Sequence, residues 1–158
     1  EFDIKHRYKV LREVISEASK KVLVFVPFKN VIDVLVDKLR QDGITTEMVR
    51  GDVTANQRTE IFKQFQQTPN PRILVIQPQA ASHGVTLTAA DTIVWWGPTS
   101  SVETYEQANA RIHRQGQDHK CTVIQLAGSL AEKRVYSLLD NKLHTHTKII
   151  DLYKEIVA

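Results

Sequence analysis

Lys21-Val22-Leu23-Val24-Phe25-Val26-Pro27 is a short, unbroken apolar run closed by a proline. A run of this length suits a strand buried on both faces, as in a parallel sheet. Upstream, Ile4, Tyr8, Leu11, Ile15 and Ala18 recur at steps of four and three, the spacing of an amphipathic helix over residues 1–20. Downstream, Ile32, Leu35, Val36 and Leu39 predict a helix stopped by Gly43. Thr45–Val49, Arg72–Ile76, Thr92–Trp96 and Thr122–Ala127 predict four more strands. Between them, Ile61, Phe62 and Phe65 mark a helix that Thr54 and Gln57 open as a capping box and Pro69 and Pro71 end. Ser100 or Ser101 caps the next helix, and Ala131, Val135, Leu138 and Leu139 mark another. Ile149, Leu152, Tyr153 and Ile156 predict a last helix over residues 146–158.

Strands alternating with helices in this way predict an α/β domain, a mainly parallel central sheet with helices on both faces. Ligands of such folds sit beyond the carboxyl ends of the strands. The polar segments 27–30, 50–52, 77–84, 97–101 and 128–129 follow predicted strands and are expected to gather on that edge.

The 158 residues suit one domain with a real core. The net charge of +3 and pI near 9.0 permit nucleic-acid binding without demonstrating it. Cys121 is the single cysteine, so no internal disulfide forms, which fits a reducing, cytosolic setting. No apolar run is long enough to span a bilayer, no signal peptide is visible, and the chain does not begin with Met. A fragment of a longer protein, without a membrane partner, is the expectation.

Gln107-Ala-Asn-Ala-Arg111-Ile-His-Arg114-Gln-Gly116-Gln117 has the densest polar chemistry. At helical spacing, Gln107, Arg111 and Arg114 share one stripe and are expected to point outward. Val102, Tyr105, Asn109 and Ile112 form a second, mostly apolar stripe that faces a core. Guanidinium forks match phosphate geometry, so two of them one turn apart can clamp a polyphosphate.

These residues carry a resemblance. Val22–Phe25 resembles motif IV, Gln79-Ala-Ala-Ser-His-Gly84-Val-Thr-Leu87-Thr88-Ala-Ala resembles motif V, and Gln107–Gln117 resembles motif VI of the superfamily-two helicase-type ATPases. The chain looks like their C-terminal RecA-like lobe over nearly its whole length, residues 1–158. It most resembles the Swi/Snf-type DNA translocases, of the compact bacterial or phage kind. Trp96-Gly97-Pro98 stands where that family usually has Trp-Asn-Pro. Ala81-Ser82-His83 replaces a usual pair of glycines and an aliphatic residue, and Thr86 replaces a common Asn.

The resemblance implies a three-layer RecA-like fold and a role as second motor lobe of an ATP-driven, double-stranded DNA translocase. It implies that ATP and Mg2+ are held mainly by a first lobe of the same protein. Arg111 and Arg114 would supply the arginine fingers, with Gln107 and Gly84 beside the nucleotide. Lys29, Asn30, Arg50, Gly51, Gln79 and Ala80 would touch the phosphate backbone, partly through main-chain N–H groups and without reading bases. The chain has no Gly-x-x-x-x-Gly-Lys-Ser/Thr loop and no acidic motif after a strand, so alone it is expected not to hydrolyse ATP. A cytoplasmic location, or a nuclear one in a eukaryote, goes with this role.

Two alternatives stand beside it: a strand-separating DNA or RNA helicase lobe, whose motif VI usually ends nearer His-Arg-x-Gly-Arg, and a nucleic-acid-binding module without motor activity. Arg58 is expected to pair with a carboxylate, Trp95 and Trp96 to serve the core or an interface, and Cys121 to be structural. His144 and His146, two apart on a predicted helix, share no face and suggest no metal site.

Overall fold

The computed structural model describes residues 2–81, 86–112, 121–140 and 146–153. The elements, in chain order, are α1 (Phe2–Glu17), β1 (Lys21–Phe25), α2 (Lys29–Gln41), β2 (Thr46–Val49), α3 (Ala55–Gln67), β3 (Ile73–Ile76) and a 3-10 turn (Pro78–Ala81). Then come β4 (Ala90–Trp95), α4 (Val102–Asn109), β5 (Thr122–Ala127), α5 (Leu130–Leu139) and β6 (His146–Asp151). Every strand pairing is parallel, in the order β2-β3-β1-β4-β5-β6.

The continuous apolar runs make this possible, because they cover both faces of the sheet. Along β1, Leu23 and Phe25 enter one core with Phe62 and Phe65 of α3, Tyr105 of α4 and Tyr136 of α5. Val22 and Val24 enter the opposite core with Leu11 and Ile15 of α1 and Ile32, Leu35 and Leu39 of α2. β3 and β4 alternate in the same way. The result is three layers, as the sequence predicts.

Local chemistry sets the helix ends. At the end of α2, Gly43 takes φ +81, and the amides of Gly43 and Ile44 bond back to Arg40 O and Leu39 O at 3.0 Å each, the reverse turn that glycine permits. The Thr54/Gln57 box opens α3 with both reciprocal bonds formed. Ser101 and Ser129 cap α4 and α5 through Thr104 N and Glu132 N. On the open edge of β2, Arg40 Nε and Nη2 both donate to Thr46 O, at 3.0 and 2.9 Å.

One element departs from the sequence-based expectation. Residues 146–151 form β6, a parallel edge strand on β5, where a helix over 146–158 was predicted. The exposed edge of β5 offers hydrogen bonds along six residue positions, and Ile149 and Ile150 fall on opposite faces, each against a different core. Tertiary pairing thus overrides a weak helical period. Leu152 and Tyr153 are helical, and residues 154–158 of that predicted helix lie outside the described residues. Among the described residues no helix is long and apolar enough to cross a membrane.

A charge holds α1 in place. Arg7, 4% exposed, donates from Nη1 to Trp96 O and, at 3.2 Å, to Leu126 O. Its Nη2 lies 2.5 Å from Glu132 Oε1, which also accepts from Gly128 N at 2.5 Å. Truncating Arg7 would leave two carbonyls and a carboxylate short of a partner. Arg7→Ala is expected to lower unfolding stability by about 2–4 kcal/mol, read as a drop in urea midpoint with unchanged slope.

Candidate functional site

Parallel pairing brings the carboxyl ends of the strands to one edge. The ladder continues just past them: Gln77 N bonds Val49 O at 2.9 Å, Val26 N bonds Ile76 O at 3.0 Å and Trp96 N bonds Phe25 O at 2.9 Å. The chain order reverses between β1 and β4, which is where a crevice opens in such sheets. Phe28 and Gly97 flank it. A Cβ at Gly97 would lie 3.3 Å from the Phe28 ring, so glycine lets this half-exposed ring rest on the backbone.

Lys29 and Asn30, both exposed, form the first turn of α2, whose N-cap, Phe28, contributes no side-chain bond. Arg50, Gly51 and Asp52 form the turn after β2. The structure joins these two groups through carboxylates. Arg50 Nη1 is 3.1 Å from both oxygens of Asp33, Arg50 Nε is 3.4 Å from Asp52 Oδ1, and Lys29 Nζ is 3.7 Å from Asp52 Oδ2. Two cations and two anions thus cancel at the edge.

The main-chain donors are likewise engaged. Gly51 N bonds Gln77 Oε1, and Ala80 N bonds Gln77 O, both at 2.8 Å. Gln79 is exposed and Ala80 buried on the neighbouring 3-10 turn. Arg58 donates to Val53 O at 3.3 Å and has no carboxylate partner among the described residues, contrary to the expected pairing.

Gln107 and Arg111, the described candidates for nucleotide binding, stand elsewhere. α4 starts at the carboxyl edge and runs back along the sheet for eight residues, about 12 Å at helical rise. It ends at Asn109, so Arg111 lies in a turn and not on the helix. Arg111 O accepts from Leu87 N at 2.7 Å, and Ile112 O accepts from Cys121 Sγ at 3.4 Å. Leu87 and Cys121 precede β4 and β5, which places Arg111 toward the amino ends of those strands.

The outward stripe expected of Gln107, Arg111 and Arg114 is therefore corrected in part. Arg111 is buried, 9% exposed, with Nε donating to Gln107 O at 2.7 Å, and burial pushes its pKa down. Gln107 Nε2 reaches Glu103 Oε1 at 3.3 Å. The apolar stripe holds at Tyr105, Asn109 and Ile112, while Val102 is exposed. Arg114 and Gly84 lie outside the described residues, as does His144. Trp95 and Trp96 are both buried; Trp95 packs between Phe25 and Tyr105, with ring centroids 4.9 and 4.8 Å away.

Sequence reasoning missed the pairing roles of Asp33 and Gln77, ordinary polar residues whose partners come from other segments, and of Asp52, which pairs both within its own turn and with Lys29. It also missed Gln125 and Asp140, which bond Tyr105. Gln125 did leave a signal: one amide inside the apolar run Val123–Ala127. A concavity of about 470 Å³ lined by Arg40, Thr45, Gln64 and Asn70 lies at the opposite, amino-terminal edge, away from all these residues.

Comparison with known proteins bears on the same segments. The profile of the helicase conserved C-terminal domain matches residues 6–116. An uncharacterized ATP-dependent helicase of Schizosaccharomyces pombe is 30% identical over 134 residues, 84% of this chain and 13% of that protein. Chromodomain-helicase-DNA-binding protein 1-like of Danio rerio is 31% identical over 138 residues, 87% of this chain and 13% of that protein. The chain thus spans about an eighth of the length of these relatives. The C-terminal part of the Fun30 ATPase domain superposes with a TM-score of 0.77 at 22% identity, covering 87% of this chain and 46% of that one. At that identity the match speaks for the fold, which is RecA-like.

The edge ion pairs are half in solvent, with side-chain exposures of 25% for Arg50 and 56% for Asp33. A double-mutant cycle of Arg50→Ala and Asp33→Ala is expected to give a coupling no larger than about 1 kcal/mol in denaturant unfolding.

Proposed function

Because this chain belongs to the family of helicase conserved C-terminal domains, we propose that it is the second motor lobe of an ATP-dependent, double-stranded DNA translocase. The observation that carries the reading is the link from Arg111 O to Leu87 N at 2.7 Å, which ties the segment resembling motif VI to the one resembling motif V. In this reading a first lobe of the same protein faces Gln107 and Arg111 across a cleft.

Bound ATP, with its magnesium ion, supplies the phosphoryl group whose transfer to water releases the driving energy. Among the described residues no three His, Cys, Asp or Glu side chains are grouped to hold a metal ion. In this reading the magnesium ligands belong to the first lobe. The contribution of this chain is cationic. Arg111, held at Nε by Gln107 O and desolvated by burial, is a preorganised positive charge, which acts more strongly than one that water screens. Arg114 follows it in the chain and is assigned the finger role proper. Gly84 and Gln107 complete the nucleotide side.

Nucleic acid is assigned to the carboxyl edge. Lys29, Asn30 and Arg50 present cations and an amide there, beside Gly51, Gln79 and Ala80. A phosphate arriving at Arg50 competes with Asp33 and Asp52. Contacts of this kind track the backbone and read no sequence. The carboxylates keep the grip loose, which suits a motor that must release at each step.

Three measurements on the full-length protein test this. Arg114→Ala is expected to lower DNA-stimulated ATP turnover about a hundredfold or more with little change in ATP affinity; turnover within about threefold of wild type would reject the finger assignment. The double variant Lys29→Ala/Arg50→Ala is expected to flatten the slope of log affinity against log salt by about two, one for each lost cation. Asp33→Asn with Asp52→Asn is expected to tighten DNA binding by about threefold to tenfold, since it removes repulsion of the phosphates.

A further inference from the structure

Between the two ends of α4 lies a polar cluster that the reading above does not use. Gln125 is 1% exposed within the apolar run of β5. Its amide donates to Tyr105 Oη at 2.6 Å and to Asp140 Oδ2 at 2.7 Å. Tyr105 Oη in turn donates to Asp140 Oδ1 at 2.9 Å. Three residues, one each from α4, β5 and the C-cap of α5, close a ring. The amide spends its two protons, the hydroxyl spends one, and the carboxylate accepts on both oxygens.

We propose that Tyr105, Gln125 and Asp140 are positioning residues, a brace that fixes α4 on the sheet and so sets the place of Arg111. The proposal rests on the motor-lobe reading.

Apolar packing alone is non-directional and would let a two-turn helix slide. A closed ring of hydrogen bonds has a single best geometry, and burying an amide is tolerated only when its bonds are made. Burial first, and then the Asp140 charge, raise the Tyr105 pKa well above its ordinary value, so the hydroxyl keeps its proton.

The brace reaches the arginine in short steps. One turn on from Tyr105, Asn109 Oδ1 accepts from Trp95 Nε1 at 2.8 Å, a second polar tie from α4 to the sheet. Arg111 follows two residues later, held to Gln107 O on α4 and to Leu87 N. A shift of α4 therefore moves Arg111 and the segment it holds together. The frame beneath is also fixed, since Tyr136 Oη bonds both Trp95 O at 3.2 Å and Leu126 O at 3.0 Å.

The test uses DNA-stimulated ATP turnover by the full-length protein. Tyr105→Phe keeps the ring packed against Trp95 and removes only the hydroxyl. Its kcat is expected to fall about tenfold, with KM for ATP and Kd for DNA within about twofold of wild type. Its thermal midpoint should move by no more than about 5 °C. Filling the cluster with apolar groups, Tyr105→Phe/Gln125→Met/Asp140→Leu, should restore any lost thermal stability and leave kcat low; recovery of kcat would overturn the brace. The deciding cycle adds Arg111→Lys. If Tyr105 acts through the arginine, the loss from Tyr105→Phe shrinks to about twofold or less in the Arg111→Lys background. Losses that multiply in full, or a Tyr105→Phe protein with wild-type kcat, overturn the positioning role and leave the motor-lobe reading intact. Arg111→Lys with unchanged kcat overturns the catalytic reading of Arg111 and the brace with it.

Discussion

Arg7 is a permanent charge placed where water hardly reaches, so the fold has to supply its partners. It takes them from three places distant in sequence: the carbonyls of Trp96 and Leu126 and the carboxylate of Glu132. Those atoms lie where β4 and β5 end and α5 begins. A guanidinium offers its donors in a rigid plane, so satisfying several acceptors at once leaves little freedom among them. Gly97 sits beside this knot, with Arg7 Nη1 3.9 Å from the place its Cβ would occupy. The points from which α4 and α5 depart are thereby settled by a residue of α1. Everything α4 carries depends on that departure.

From that start α4 joins two regions of opposite character. At the carboxyl edge the charges are paired in solvent, where pairing is weak and readily exchanged. Along the helix Tyr105 and Gln125 are buried, Asp140 is half-buried, and the three are mutually satisfied, where exchange is costly. The same kinds of side chain, carboxylates with their donors, thus behave as a yielding contact in one place and as a rigid joint in the other. Burial decides which. A motor lobe of the kind proposed needs both: a surface that lets go of its track and a frame that does not let go of its catalytic groups.

The sheet was legible because burial on both faces leaves continuous apolar runs, as in Lys21–Val26 and Ile73–Ile76. The cap at Thr54, a serine cap at 100 or 101 and the glycine stop at Gly43 were legible because they act within a few residues. β6 was not, because its pairing is decided by the open edge of β5 and not by its own period. The position of Arg111 was misjudged for a related reason: spacing describes a helix that continues, and this one stops at Asn109. Asp33 gave no signal of its pairing with Arg50, since it stands on α2, in another segment, and looks like any solvated residue. Gln125 gave half a signal; a lone amide in an apolar strand announces a buried bond but not its partner.

Arg40 has one more consequence. The outer side of β2 is the margin of the sheet, and its free carbonyls are what another chain's strand would pair with. By putting two of its own donors on Thr46 O, Arg40 occupies the first acceptor of that margin and sets an ion pair beside it, its Nη2 lying 3.3 Å from Glu47 Oε2. A charged, pre-bonded border is a common way to discourage runaway strand addition. Protein molecules crowded side by side would meet there a hydrated pair of charges and an acceptor already taken rather than a bare template, so the domain carries its own guard against aggregation.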